Sequence, residues 1–445
     1  MRLGSSNKFF YYAMSNAKSF NLRYILSFRE ALEISAMKKA VRKALDVYKE
    51  FSCRIVLQDN CFSCEYSSEM PFFYEADDIW DTETFDFASD ELKGFPFYFQ
   101  YTSDKLLISY FHGLTDIVGM NTFIKSVLYF YSIEIGQIDD EEKKELADIV
   151  FCSDEQLEAI EDGIRYDPYG TCGNTAVEPD HIHEDVGAYY LEDNKKDHMH
   201  YEEIEINTDD FSKLVEQYKS SFVGLIMVLT QQALRKSYET GDENVTVMLP
   251  VNQRPYFGTS GIQTNVNCSD SIMVDYTADK SQESLMEQCA YTRSCFDKAI
   301  RSNNFIKMAG DKNQLVTDFE SSGRSPVDIA AEVQAAYDES GFNGLSYVIT
   351  SPGRFILPPA LDRLIEDIDI NSYAAAHSFW VYTFRKSFRI KYCSRNDSLK
   401  LMDALKDELG HLNVNYQERC RGILKGDRLY LKDLKEGGSD EYRRK

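Results

Sequence analysis

The sequence predicts a mixed α/β protein built as two lobes, and three observations carry that expectation. Strand-like and helix-like segments are interleaved along the chain, without the regular βαβ alternation of a doubly wound sheet. An acidic stretch at 139–205, punctuated by Asp167-Pro168, Gly170, Gly173 and Glu178-Pro179, divides the chain in the middle. The 445 residues include 29 Tyr and 28 Phe, enough apolar material for large cores and far from a disordered composition. The predicted boundaries are a first lobe at 1–138, a linker at 139–205 and a second lobe at 206–445.

In the first lobe, Leu22 to Phe28 reads as a strand. Ile34, Met37, Val41, Leu45 and Tyr48 recur at spacings of three and four, one face of an amphipathic helix. Cys53 to Leu57 and Cys61 to Tyr66 predict a hairpin around Asp59-Asn60. Phe97 to Tyr101 and Leu106 to Phe111 predict a second, turning at Ser103-Asp104. Val118 to Tyr131 follows as a helix. In the second lobe a strand is expected near Tyr201 to Ile206, then a helix with Thr208 as N-cap. An apolar helix at 222–238, a strand from Val245 ending at Pro250, and a helix over 283–300 come next. A strand at Leu345 to Thr350, a hairpin of Phe379–Phe384 with Phe388–Cys393, and a helix over 397–409 stopped by Gly410 complete the reading.

Charge narrows the function classes. The formal net charge is −24, and the 139–205 segment alone holds 22 acidic against 5 basic residues, a balance of −17. The rest of the chain is close to neutral. No Lys/Arg stripe could neutralise a row of phosphates, so nucleic-acid binding and attraction to an anionic membrane surface are not expected. The longest apolar run, Phe222 to Leu229, has 8 residues, too few to span a bilayer. The start of the chain lacks an apolar segment followed by a small-residue cleavage site, so no signal peptide is read. Ten scattered Cys fit free thiols in a reducing cytoplasm better than a disulfide framework.

Chemistry concentrates in residues 105–131. His112 stands at the exit of a predicted strand, and Asp116 lies in the loop before the next helix. A rigidly held His can take a proton from a hydroxyl or amine as that group attacks a carbonyl, while the carboxylate four residues on can fix the loop by ion pairing. On spacing alone, a His in a loop is more often structural.

His112-Gly-Leu-Thr-Asp116 resembles the HxxxD core of the chloramphenicol acetyltransferase-like superfamily of condensation domains and acyl-CoA-dependent acyltransferases. Other pieces occur in the order of that superfamily. Residues 48–57 resemble the end of its first long helix and the strand carrying an Arg, here Arg54. Residues 245–257, VTVMLPVNQRPYF, resemble its "PVN-R" strand, with Thr264 and Asn265 where an Asn is expected. Residues 345–358 resemble the strand that ends in a Ser-Asn-Leu-Gly-like turn. The likeness spans roughly residues 10–412 and is nearest the alcohol acetyltransferase-like branch. Two residues depart from the pattern near the motif: Phe111 replaces the first of two His found in many members, and Ile117 replaces the Gly after the Asp. The turn at 350–353 also differs.

The resemblance implies two lobes in a V around a central tunnel, with acyl-CoA or an acyl carrier protein as donor and a small alcohol or amine as acceptor. It makes His112 the base, Asp116 and Arg54 an ion pair supporting the motif, and Thr264, Asn265 or Asn252 the contacts to oxyanion or substrate. The alternative is a non-catalytic relative that binds a lipid, thioester or protein partner; Ile117 and the altered turn favour it. No permanently bound cofactor is implied. His181, His183, His198 and His200 could ligate a metal, but they fall in the acidic segment with no rigid element to fix them, so a solvated loop is expected and no metal site is assigned. Cys61 and Cys64 have no second pair and read as inward and outward side chains of a strand. The chain has no Gly-x-Ser-x-Gly elbow, Walker loop or dinucleotide fingerprint.

Overall fold

Strand β1, Asn21–Phe28, is buried along almost its whole length, because its sheet is covered on both faces. Leu22, Tyr24, Leu26 and Phe28 join one core with Met37, Val41 and Phe123. Ile25 points to another, formed with Leu107, Phe111 and Phe87. The computed structural model describes residues 5–13, 20–59, 61–80, 84–150, 187–192, 194, 198–257, 265–301, 304–340, 345–373 and 376–429. Most of the predicted linker, at 151–186, lies outside them.

The first lobe also contains the hairpin β2 (Cys53–Gln58) and β3 (Cys61–Tyr66), the short strands β4 (Phe73–Glu75) and β5 (Asp86–Phe87), and the hairpin β6 (Phe97–Tyr101) and β7 (Lys105–Phe111). Helices α1 (Ser5–Tyr12), α2 (Ile34–Val47), α3 (Ile117–Glu134) and α4 (Asp140–Val150) pack around them. In the hairpin of β2 and β3, Cys64 is buried and Cys61 half-buried, as alternation along a strand requires.

The second lobe is a larger sheet. Its strands are β8 (His198–Asn207), β9 (Val245–Asn252), β10 (Ser269–Tyr276), β11 (Tyr347–Phe355), β13 (His377–Phe384), β14 (Ser387–Ser394) and β15 (Tyr416–Lys425), in the order β10-β9-β11-β13-β14-β8-β15. Helices α5 (Thr208–Gln217), α6 (Phe222–Ser237), α7 (Leu285–Arg301), α8 (Asn304–Ser321), α9 (Pro326–Ser340) and α10 (Lys400–His411) belong to it. Phe379 and Val381 of β13 join the core of this lobe, whereas Trp380, Tyr382 and Phe384 turn to the core shared with the first lobe.

Strand β12, Ile365–Tyr373, leaves the second lobe and completes the first sheet, whose order is β12-β1-β7-β6-β4. Its Ile365, Ile368 and Ile370 enter the shared core. Its alternate residues face the buried cations of β14: Lys391 bonds Asp369 and Asn371 and lies 3.0 Å from Glu203, while Arg389 donates to Asp367 at 2.5 Å. A second tie comes from the end of the chain, where β16 (Arg428–Leu429) pairs with β5. There the fully buried Asp427 accepts from Arg23 at 2.9 Å and from the Tyr98 hydroxyl at 3.0 Å.

Several expected boundaries shift for local reasons. Asn207, not Thr208, caps α5, its Oδ1 accepting from the Asp209 N–H at 2.9 Å. Pro250 does not end β9, because β11 pairs with β9 only at Val247 and Met248. Beyond Met248 one side of β9 has no partner strand, and a Pro without an N–H is tolerated there. The expected turn at 350–353 is a bulge within β11, with the register shifting between Thr350 and Gly353. Gly353 adopts φ +75, a conformation that suits glycine. Helix α10 runs through Gly410, and the left-handed residue falls instead at Asn413, φ +57.

Candidate active site

β7 delivers His112 to its position, and α3 begins immediately after the loop. The His112 N–H donates to the Phe20 carbonyl at 2.9 Å, holding the residue in line with the sheet edge. Its Nδ1 lies 3.1 Å from the Thr115 carbonyl oxygen, which can only accept, and 3.1 Å from the Asn267 amide nitrogen; with that amide donating to the His112 carbonyl, we assign the Nδ1 proton to the Thr115 contact. The lone pair of the neutral ring therefore sits on Nε2. Phe10 of α1 packs against the ring with centroids 4.6 Å apart. This surrounding pushes the imidazole below its ordinary 6.5, burial being the main cause and Lys312 a minor one.

Asp116 is committed to holding the scaffold of the site. It is the N-cap of α3, its Oδ1 accepting from the Gly119 N–H at 3.0 Å. Arg254 grips the same carboxylate with two guanidinium nitrogens, at 2.7 and 3.0 Å, and the Cys268 N–H adds a fourth bond at 2.8 Å. Burial alone would raise the carboxyl; the guanidinium and the two backbone donors outweigh it and hold the group below its ordinary 3.8. Every lone-pair direction of this buried anion is used, as a charge taken out of water requires.

The residues between Asn265 and Cys268 clasp the motif loop from the second lobe. The Asn265 carbonyl accepts from the Thr115 hydroxyl at 2.5 Å. The Asn267 amide donates to the His112 carbonyl at 2.9 Å, and its Oδ1 accepts from the Ser269 N–H and hydroxyl. From the other side, the Asn7 amide of α1 donates to the Gly113 and Leu114 carbonyls at 2.7 and 2.9 Å.

Gly119 is what lets the clasp close. A Cβ there would come 2.1 Å from the Thr115 hydroxyl and 2.6 Å from the Asn265 carbonyl oxygen. A backbone oxygen cannot step aside cheaply, so Gly119→Ala is expected to destabilise by about 1–3 kcal/mol through overpacking. Denaturant unfolding of the variant checks this, and a midpoint equal to the parent's would contradict it. Ile117, in the position where the resemblance expects a glycine, stands half-exposed on the cavity wall instead.

The sequence-predicted residues divide accordingly. His112 and Asp116 stand as expected at the strand exit and helix start. Arg54 is not the partner of Asp116: it lies on β2, in register with Glu65 of β3, in a hairpin separate from the main sheet. The partner is Arg254, in the "PVN-R" stretch at the end of β9. Asn252 supports it, accepting from the Arg254 N–H at 3.1 Å and from its guanidinium at 3.2 Å. The side chain of Asn265 is turned to Glu50, to which it donates at 2.9 Å. Asn267 fills the place beside His112. Thr264 lies outside the described residues.

His112 opens on a cavity of about 640 Å³ between the lobes. The first lobe supplies Phe10, Phe20 and Ile117, and the second supplies Pro250, Met273 and Trp380, so most of the wall is apolar. Sites at such junctions gain one wall from each lobe. Lys312 and Asp270 also line it, paired to each other at 2.9 Å.

The chain has the two-lobe chloramphenicol acetyltransferase-like fold, shared with solved structures of low sequence identity. It aligns over 92% of its length with 98% of TRI101 from F. sporotrichioides, crystallised with coenzyme A and T-2, at TM-score 0.62 and 11% identity. The trichothecene 15-O-acetyltransferase TRI3 from Fusarium sporotrichioides matches at TM-score 0.61 and 10% identity, with 92% of this chain and 94% of that one covered. The epimerization domain from the third module of tyrocidine synthetase B matches at TM-score 0.57 and 12% identity, covering 91% of this chain and 92% of that one. No family model and no curated protein sequence matches the chain. Among the described residues, no helix is long and apolar enough to cross a membrane.

Proposed function

We propose that the protein is an acyltransferase that moves an acyl group from a coenzyme A or carrier-protein thioester to a hydroxyl or amine. The observation that carries this reading is His112, whose Nδ1 proton is held by the Thr115 carbonyl while the ring borders an apolar cavity between two lobes. The likeness of fold to TRI101, crystallised with coenzyme A, and to the 15-O-acetyltransferase TRI3 supports it.

In this mechanism Nε2 of His112 removes the proton of the acceptor as its oxygen or nitrogen attacks the thioester carbonyl. A tetrahedral oxyanion forms, then collapses with loss of the thiolate, which takes the proton back from the imidazolium and leaves as a thiol. Arg254, Asp116 and Asn267 act as positioning residues that fix the His112 backbone and ring. Asn252 lines the cavity with its Oδ1 committed to Arg254, and its amide N–H is the donor we assign to the oxyanion. Thr264 stands as a further candidate for contact with substrate, whereas Asn265 is committed to Glu50 and Thr115. The apolar wall favours acyl groups and acceptors that gain from leaving water.

The test is release of free thiol, followed with a thiol-reactive dye, from acyl-CoAs of graded chain length and from an acyl carrier protein. Release should depend on an added alcohol or amine and should yield the ester or amide by mass spectrometry. If no donor releases thiol with any acceptor, yet acyl-CoA binds, the chain is instead a non-catalytic binder of thioesters.

A further inference from the structure

Of the two pairs of histidines in the acidic segment, His198 and His200 fall within the described residues. His198 and His200 stand on β8, which is hydrogen-bonded on one side to β14 and on the other to β15. Residues two apart on a strand share a face. Their ring centroids are 5.4 Å apart. The turn after β14 brings Asp397 to the same place, with its Oδ1 3.0 Å from Nε2 of His200. One nitrogen of each imidazole and one carboxylate oxygen all lie within 4.8 Å of one another.

We propose that His198, His200 and Asp397 bind a divalent transition ion of borderline softness, with Zn²⁺ as the type case. Two imidazoles and a carboxylate form a ligand set suited to Zn²⁺, Co²⁺, Ni²⁺ or Cu²⁺, and a poor one for Mg²⁺ or Ca²⁺, which prefer all-oxygen shells. Tetrahedral ligands about 2.0–2.2 Å from a metal lie roughly 3–3.5 Å from each other, so small side-chain rotations from the observed positions suffice. Three protein ligands leave a fourth position for water.

The scaffold that the sequence reading lacked is present. β8 is an interior strand, and the turn carrying Asp397 is tied down by its neighbour Asn396. The Asn396 N–H donates to the Ser394 hydroxyl at 3.0 Å, and its amide donates to the Glu192 carbonyl at 2.8 Å. Its Oδ1 accepts from the Asn194 N–H at 3.2 Å. The His200 side chain is 24% exposed and that of Asp397 69%, so an ion can enter from solvent. A net charge of −24 raises the cation concentration near the surface. A bound ion would staple β8 to the turn between β14 and α10, opposite in role to the cavity chemistry of His112.

The experiment uses the full chain, stripped with a chelator and free of any affinity tag, titrated with Zn²⁺ by calorimetry and with Co²⁺ by visible absorption. One saturable site is expected, with Co²⁺ bands in the intensity range of four-coordinate complexes and no response to Mg²⁺. His198→Ala and His200→Gln should each abolish the site, and Asp397→Asn should weaken it. Circular dichroism must show these variants folded; Asp397→Asn, on an exposed side chain, serves if a His variant does not fold. His181→Ala/His183→Ala must leave binding unchanged. Binding that survives in folded His198→Ala, or that is lost with His181 and His183, would overturn the assignment.

Discussion

Arg254→Ala should cost about 3–5 kcal/mol of folding stability, because it strands the Asp116 carboxylate in the interior with only backbone donors. Both side chains are almost fully buried, so water cannot replace the lost guanidinium. The pH dependence gives the test its sign. In the parent, Asp116 titrates below its ordinary value, so its contribution is present above the unfolded pKa and fades as pH falls through the folded one. In the variant, burial remains and the cation is gone, so the carboxyl is pushed upward instead. The penalty is then largest at neutral pH and shrinks as the solution is acidified toward a pH at which Asp116 protonates. Denaturant unfolding at neutral and mildly acidic pH measures both. A loss of about 1 kcal/mol or less at neutral pH, the scale of an exposed pair, would contradict the assignment. Combining Arg254→Ala with Asp116→Asn should cost less than the sum of the single changes, since the two residues share one interaction.

Much of this arrangement was legible from the chain alone, and the reasons for success and failure are physical. His112 and Asp116 could be placed because a strand of Lys105–Phe111 and a helix from Ile117 leave room for a short loop only. Which Arg meets Asp116 could not be read, because pairing across lobes depends on three-dimensional return of the chain rather than on spacing. Arg254 carried one signal, its place in the "PVN-R" stretch, and Arg54 carried a competing one. The choice between Asn265 and Asn267 turns on the register of the loop before β10, where a shift of two residues exchanges a Glu50 contact for a His112 contact. β12 was missed although its Ile residues alternate with polar ones. Aspartates in a sequence give no sign of burial, yet the fold buries Asp369 against Lys391 and half-buries Asp367 against Arg389. Helices α8 and α9 escaped notice because their apolar positions are sparse: Phe305, Ala309, Val316, Ile329 and Ala330 are buried among many polar residues. His198 and His200 read as part of a solvated loop in the acidic linker because acidity masks the alternation of a strand whose Glu203 is buried against Lys391.

His112→Ala should reduce acyl transfer by roughly 10²–10⁴-fold, the range expected when a positioned general base is removed. The substitution takes away the ring but leaves the backbone bonds to Phe20 and Asn267, so the loop and the Asp116–Arg254 pair should survive. Stability should therefore change far less than in Arg254→Ala, and the two variants separate chemistry from scaffold. Substrate binding should also change little, because the base acts chiefly in the transition state. The parent supplies a second readout. Burial holds the imidazole below 6.5, so the ring is neutral and competent at neutral pH. The rate should stay level on the alkaline side of that value and fall only as acid protonates Nε2 at a lower pH. Replacing Asn267 with Ala should lower the plateau while keeping a fall on acidification, since Asn267 orients the residue through its carbonyl and Nδ1 and carries no proton in the reaction. A His112→Ala protein that transfers acyl groups at the parent rate, or a parent whose rate loss on acidification persists in that variant, would remove His112 from the mechanism and leave the cavity without its base.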